Sequence, residues 1–418
     1  MKQKVTAALI GAGNRGNVYS RYAKVCPEKF AVVAVAEPDE KRRAKFCKEY
    51  GIAPENAFST WEELLERQKL ADAAMICTND MHTQSATRAM ERGYHVLLEK
   101  PMANHADECI QIGEAAEKSG LVLSVCHVLR YTPFYSAVKK LIDEKAVGEP
   151  LVFRQTENVG YWHQAHSFVR GNWSNSETNG SMILQKCCHD MDIISWILGR
   201  RCLKVSSFGG LAHFKPENAP KGAPKRCTDG CMYEKSCPYY APRFYLEHPK
   251  AVTDGFVDVL TTDSSEEGIL RALKEGPYGR CVYHCGNDVV DHQVVDMEFE
   301  GSVLGSLVMA AFTNDCHRSL HILCTNGEIK GDMEKEELYY QIFGQPEPVK
   351  AELAKPDSRD GFHHSGGDFC MIRDFVEAVQ NNDSALNRST ARQSLQSHLM
   401  CFAAEESRLH GKMITLEG

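Results

Sequence analysis

Four groups of residues have types and spacings that could do chemistry. Gly11, Gly13 and Gly16 stand as G-x-G-x-x-G directly after the apolar run Val5–Ile10. The first glycine permits a tight turn, and the second lets the backbone approach a pyrophosphate. The third lets a new helix pack closely on the strand. Asn14 and Arg15 complete that turn. Glu37 closes the next apolar run, Ala31–Ala36. A carboxylate there accepts hydrogen bonds from ribose hydroxyls and repels a 2′-phosphate, so NAD is expected rather than NADP. Lys100, in Glu99-Lys100-Pro101, follows a further apolar run. An ammonium beside a nicotinamide can bond a substrate oxygen and stabilise alkoxide character as hydride leaves. A solvated surface lysine is the plain alternative. His189 is an acid/base candidate or a donor to a reacting hydroxyl, against the alternative of a core histidine capping a helix. The fourth group is Cys227, Cys231 and Cys237, in C-x3-C-x5-C, with Cys281 beyond them.

These groups need a scaffold, and the first half of the chain reads as one. Helices are expected over about 15–25, 39–50, 61–68, 82–92 and 104–118. Buried strands are expected at Val5–Ile10, Ala31–Ala36, Ala73–Cys77, His95–Leu98 and Leu121–Cys126. Such alternation predicts an α/β fold, an N-terminal Rossmann domain with a doubly wound parallel sheet over residues 1–126. Ligands of these sheets lie outside the carboxyl ends of the strands. Thr78, Asn79, His82 and Glu99 fall at those ends, so they join the glycines, Asn14, Arg15, Glu37 and Lys100 as candidate cofactor contacts.

Composition bounds the rest. The 418 residues suggest two domains, and 43% hydrophobic with 25% charged residues is a globular balance. A net charge of −8 argues against nucleic acid or an anionic membrane as partner. No stretch approaches the roughly eighteen apolar residues of a membrane span. The N-terminus opens on a strand with no secretion signal, so the seventeen cysteines imply a reducing cytoplasm. In that setting the cysteine cluster suggests a structural zinc, with an iron–sulfur cluster as the competing occupant. Free thiols and a disulfide remain the alternatives.

The chain resembles the Gfo/Idh/MocA oxidoreductases over most of its length. GAGNRG at 11–16, NDMHTQSATRAMERGYHVLLEKPM at 79–102, RYTPFY at 130–135 and HDMDIISWILG at 189–199 carry the resemblance. It implies an α/β C-terminal domain, residues 127–418, with a large open mixed sheet that often forms an oligomer interface. A homo-oligomer, dimer or tetramer, is therefore expected. It also implies NAD or NADP chemistry on hydroxyl carbons of sugars and cyclitols, and a catalytic role for Lys100. The family pattern D-x-G-x-H-x-x-D is matched by His189 and Asp192 only. Gln185 and Cys187 replace the aspartate and glycine, which weakens the usual lysine–aspartate–histidine relay and leaves Lys186 as a candidate for the missing charge.

Arg130, Tyr161, His163 and Asp192 are the candidate substrate contacts. The stretch 161–166 is either an aromatic wall for sugar stacking or an ordinary loop or interface. Between about 212 and 285 the prolines and cysteines mark an insertion. Strands return from about 293, with a hairpin around Glu300-Gly301. The run Gly361–Asp368 is either a loop closing over substrate or a plain connection. The expectation is an enzyme, a cytoplasmic NAD-dependent oxidoreductase of a sugar, glycoside or cyclitol. The alternative is a glycoside-cleaving enzyme that uses bound NAD for transient oxidation at C3 followed by elimination. A non-catalytic NAD-responsive regulator is a third class, disfavoured by Lys100 and His189 together.

Overall fold

The computed structural model describes residues 3–79, 82–355, 362 and 364–416. Its first sheet is built from β1 (Val5–Ile10), β2 (Phe30–Ala36), β3 (Ala57–Phe58), β4 (Ala73–Ile76), β5 (His95–Leu98) and β6 (Leu123–Val125). All pairings are parallel, in the order β3-β2-β1-β4-β5-β6. The order reverses between β1 and β4, which is where such sheets bind their ligand. Strands this short and apolar are buried on both faces because helices cover both. Among them are α1 (Asn14–Ser20), α2 (Glu40–Tyr50), α3 (His82–Glu91) and α4 (Ala106–Ser119). Asp39 caps α2 by accepting from the Arg42 amide, and Gly51 ends it at φ 66°. The helix expected to begin at Asn104 is capped one residue later, at His105. The helix expected over 15–25 is two pieces, α1 and a turn over Tyr22–Val25.

The second sheet has nine strands: β7 (Pro150–Asn158), β8 (Cys202–Gly210), β9 (His292–Phe299), β10 (Val303–Ala310), β11 (His317–Cys324), β12 (Gly327–Asp332), β13 (Glu337–Ile342), β14 (Val349–Lys350) and β15 (Ile414–Thr415). Their order is β14-β13-β12-β11-β7-β10-β9-β8-β15, antiparallel except where β7 meets β10. One face packs on α5 (Pro133–Asp143) and α6 (Cys188–Leu198). The β9–β10 hairpin turns at 300–302, as the sequence indicates.

Two departures matter for the site. Residues 127–418 do not all stay with the second sheet. Helix α7 (Gly367–Asn381) returns to the first domain, where Phe369, Ile372, Phe375 and Val376 join the core containing Val5, Tyr22 and Phe30. Helix α8 (Ala391–His410) lies across both domains, packing on α4 and α6. The insertion between β8 and β9 also has its own core, with Phe244, Tyr245, Ile269 and Leu273 closing around Trp162. It is a small helical subdomain rather than a bare loop.

Candidate active site

The glycine turn meets the steric demands of a dinucleotide cradle. Gly11 has φ 92°, and a Cβ on it would lie 2.8 Å from the Cys77 carbonyl oxygen. A Cβ on Gly16 would lie 2.2 Å from the Gly11 oxygen, so α1 packs on β1 only with glycine there. A Cβ on Gly13 would meet nothing within 4 Å, which leaves that backbone open to a phosphate. Glu37 is buried at the end of β2. Its Oε2 accepts from the Ala12 amide at 2.8 Å and its Oε1 from the Asp39 amide at 3.0 Å. The carboxylate is thus fixed beside the glycine turn. The residues present fit a dinucleotide. Asn14 is exposed at the mouth of the turn, and Asn79 lies at the end of β4.

Arg15 and Glu99 were expected at the cofactor, but their side chains are turned to each other. Arg15 donates to Glu99 Oε1 at 3.0 Å, to Asp368 Oδ1 at 2.6 Å and to the Tyr19 hydroxyl at 2.6 Å. Glu99 also accepts from the Tyr19 hydroxyl at 2.5 Å and from the Lys100 amide at 2.8 Å. Burial alone would raise the Asp368 carboxyl, yet Arg15 and His364 hold it well below its ordinary range. This network locks the start of α7 to the Rossmann turn. His82 is likewise internal. Its two ring nitrogens face the Pro101 and Thr78 carbonyl oxygens at 2.9 and 3.0 Å. It ties the ends of β4 and β5 together. Thr78 contributes its carbonyl to that tie.

The Lys100–Pro101 bond is cis. Lys100 Nζ donates to the Gln185 carbonyl oxygen at 2.9 Å, so the first domain's lysine reaches the segment that leads into α6. His189, on the first turn of α6, is buried, and its Nδ1 has no hydrogen-bond partner among the described residues. Burial first, then the charge of Lys100, push its pKa well below the ordinary value, so the ring is neutral. The rings of His127 and His364 lie 5.8 and 6.5 Å from it. His364 belongs to the run read as either a loop closing over substrate or a plain connection; Gly361 and His363 of that run, and Asp80, lie outside the described residues.

Arg130 and Asp192 do not face open space. Arg130 is 1% exposed and donates to Asp192 Oδ2 and Oδ1 at 2.7 and 2.6 Å, and to the Gln393 side chain at 2.9 Å. A guanidinium and carboxylate so matched form a buried bidentate pair. It joins the turn after β6 to α6, and the expected contact with substrate is corrected accordingly. The aromatic stretch is corrected in part. Trp162 packs on Phe244, Phe256 and His248 and anchors the insertion. Tyr161 meets Tyr239 edge-on. His163 is the member nearest the lysines: burial, then Lys186 and also Lys100, hold it neutral. Lys186 Nζ lies 3.4 Å from Glu157 Oε1.

Cys227, Cys231, Cys237 and Cys281 do converge, lining one small pocket with Arg170 and Tyr239. Yet no group of three or more histidine, cysteine, aspartate or glutamate side chains among the described residues is arranged to hold a metal ion. All four cysteines are free thiols. The expected zinc or iron–sulfur site finds no support in this geometry. Arg170 donates to the Cys227 sulfur at 3.7 Å and to the Tyr239 carbonyl at 2.6 Å, and these contacts hold the segment instead.

Sequence reading missed His127, Glu157 and His398. Glu157 carried a usable signal: on β7, Phe153, Gln155 and Glu157 share the inward face, and a charge there needs partners. His127 and His398 carried none, because their relevance arises from α8 crossing both domains.

A family model described as "Oxidoreductase family, NAD-binding Rossmann fold" matches residues 5–127, and a "GFO/IDH/MocA C-terminal domain" matches residues 135–330. The putative oxidoreductase YteT of Bacillus subtilis is 22% identical over 394 residues, 88% of this chain and 87% of its own. The 2,7-anhydro-N-acetylneuraminate hydratase of Escherichia coli is 26% identical over 37% of this chain and 41% of its own. Six further curated relatives are matched over 49–58% of their own length. A levoglucosan dehydrogenase solved with NADH and levoglucosan superposes with a TM-score of 0.73 at 19% identity, covering 100% of both chains, which shows the shared fold. Among the described residues no helix is long and apolar enough to cross a membrane.

Proposed function

The chain belongs to the Gfo/Idh/MocA family of NAD-binding oxidoreductases, and from that premise we propose that it oxidises or reduces a hydroxyl carbon of a sugar, glycoside or cyclitol. The observation that carries this reading is Lys100 reaching from the end of β5 to the Gln185 carbonyl, beside a buried His189 with an unpartnered Nδ1. Bound NAD supplies the hydride acceptor. Lys100 presents its ammonium to the reacting oxygen and stabilises negative charge there as the carbon–hydrogen bond breaks. His189, held neutral, lies beside Lys100 and fixes the orientation of the same hydroxyl. Glu37 selects NAD by taking the ribose hydroxyls. The mixed sheet offers a surface for a dimer or tetramer.

A relative named for hydration supports a second reading, redox-neutral cleavage of a glycoside by transient oxidation at C3. Both readings use the same residues, and one experiment separates them. Purified protein is given NAD and a panel of sugars, cyclitols and aryl glycosides. NADH accumulating in step with oxidised product supports the dehydrogenase. Cleavage without net NADH, with solvent deuterium entering at C2, supports the second reading. Absence of both from Lys100-dependent turnover overturns the proposal.

A further inference from the structure

The buried charges behind Lys186 have no place in the scheme above. Glu157 is 1% exposed on the inward face of β7. Its Oε1 lies 3.4 Å from Lys186 Nζ and its Oε2 lies 2.6 Å from Arg318 Nη2. Arg318, on β11, also donates to Asp190 Oδ1 at 2.9 Å, and Asp190 accepts from Gln155 at 2.5 Å. Arg318 is thus shared between two buried carboxylates, while Lys186 has Glu157. The Lys186 side chain keeps 16% exposure, so its ammonium stands between the buried cluster and the space by His163. Hydroxyl oxidation releases a proton, and the neighbouring imidazoles are poor stores for it. His127 and His189 are buried and His163 is half-buried, and the surrounding cations oppose a further positive charge on each. Lys100 ends on a backbone carbonyl, which cannot take up a proton.

We propose that Lys186 and Glu157 act as one proton-exchanging pair, with Glu157 the positioning residue that sets where Lys186 stands and which of the two holds the proton. The proposal rests on the oxidoreductase reading. In the pair, the proton sits either on the amine facing a carboxylate or on the carboxyl facing a neutral amine. In the second form the amine accepts the substrate's hydroxyl proton while the carbon–hydrogen electron pair leaves as hydride to oxidised nicotinamide; carbonyl product and an ammonium result, so charge and atoms balance. The groups facing Glu157 from the packed elements are Arg318 on β11, Cys316 just before it, Asp190 on α6, Cys187 at its start, Tyr135 on α5, Glu334 after β12, and Lys186 itself. Burial raises the carboxyl, Arg318 and Lys186 lower it, and it settles at about 7.

The test uses the NAD-loaded protein and the variants Glu157→Gln and Glu157→Asp. Lys186 is labelled by reductive methylation across pH 6–9 and read by peptide mass spectrometry, with Lys100 as internal reference. Loss of the carboxylate should raise Lys186 labelling at neutral pH by about threefold or more, leaving Lys100 unchanged. In turnover, Glu157→Gln should move the pH profile of kcat by about one pH unit with little change in KM, and Glu157→Asp should keep the wild-type shape at a lower rate. If Glu157→Gln fails to fold, Glu157→Asp carries the labelling test, because the shortened side chain withdraws from the ammonium while keeping its charge. Unchanged Lys186 labelling overturns the pair whatever the enzyme turns over. Changed labelling in a protein that oxidises no polyol leaves the pair standing and overturns the oxidoreductase reading.

Discussion

The ammonium of Lys100 lies 2.9 Å from the carbonyl oxygen of Gln185. One residue follows β5 of the first sheet, and the other leads into the helix that carries His189. The site is therefore assembled across two domains, and the backbone of Gln185 serves where a carboxylate would have been expected. Lys100 is held in place without its charge being neutralised, which keeps it available to a developing alkoxide.

Removing that charge gives the first prediction. Lys100→Met should lower kcat by about 10²-fold or more, the scale of a positioned acid or base. NAD affinity, followed by protein fluorescence or calorimetry, should stay close to wild type, because the glycine turn and Glu37 do not touch the amine. Wild-type turnover in this variant would remove Lys100 from the chemistry.

Glu37 gives the second. Its carboxylate is pinned by the Ala12 and Asp39 amides and cannot swing away from an incoming 2′-phosphate. Glu37→Ala should weaken NAD binding by about tenfold, the value of a lost hydrogen bond to a charged group, and narrow the preference over NADP. Equal affinity of the wild-type protein for both nucleotides would refute the reading.

How much of this was legible in the sequence depends on how local each constraint is. Gly11, Gly16 and Glu37 answer to steric and hydrogen-bond rules within one βαβ unit. The paired strands, the β9–β10 hairpin and most helix ends follow from period and capping in the same way. Arg15 and Arg130 were placed in the right neighbourhood, but partners such as Asp368 and Gln393 lie hundreds of residues away in helices that return from the C-terminus. Sequence spacing does not register a contact of that kind. The cysteines show the opposite error. Their gathering into one pocket was anticipated, yet shared location is a weaker condition than ligand geometry.

Arg130 and Asp192 supply a stability prediction. Both are buried, and each satisfies the other with two hydrogen bonds. Arg130→Ala would strand the carboxylate, at a cost of about 3–5 kcal/mol. Urea unfolding should show this as a lower midpoint with a similar slope. A loss of substrate affinity with unchanged stability would instead return Arg130 to the substrate site.

The last prediction concerns acid. His398 Nε2 accepts from the Met102 amide at 2.9 Å, and its Nδ1 faces the Ser394 carbonyl oxygen at 2.7 Å. The neutral ring protonated at Nδ1 satisfies both; a second proton breaks the bond to Met102. Burial, with Lys100 and His82 adding to it, lowers the pKa to about 4 despite the opposing pull of Ser394 and Asp192. In the unfolded chain the ring takes its proton near pH 6.5. Between those values the unfolded state binds more protons than the folded one, so stability rises with pH across that window and is lost as pH falls through it. His166, lowered to about 3 chiefly by burial, acts with the same sign. Glu157, raised to about 7, acts with the opposite sign and softens the net slope. His398→Gln keeps an acceptor for the Met102 amide and removes the titration. Its urea midpoint should therefore fall less than that of the wild type between pH 6.5 and 5, the difference amounting to at most about 2 kcal/mol. Met102 follows Lys100 and Pro101 directly, so acid that protonates His398 should also disturb the placement of Lys100. Activity lost in parallel with stability over that interval, and retained longer in His398→Gln, would tie the helix that crosses both domains to the lysine at their junction.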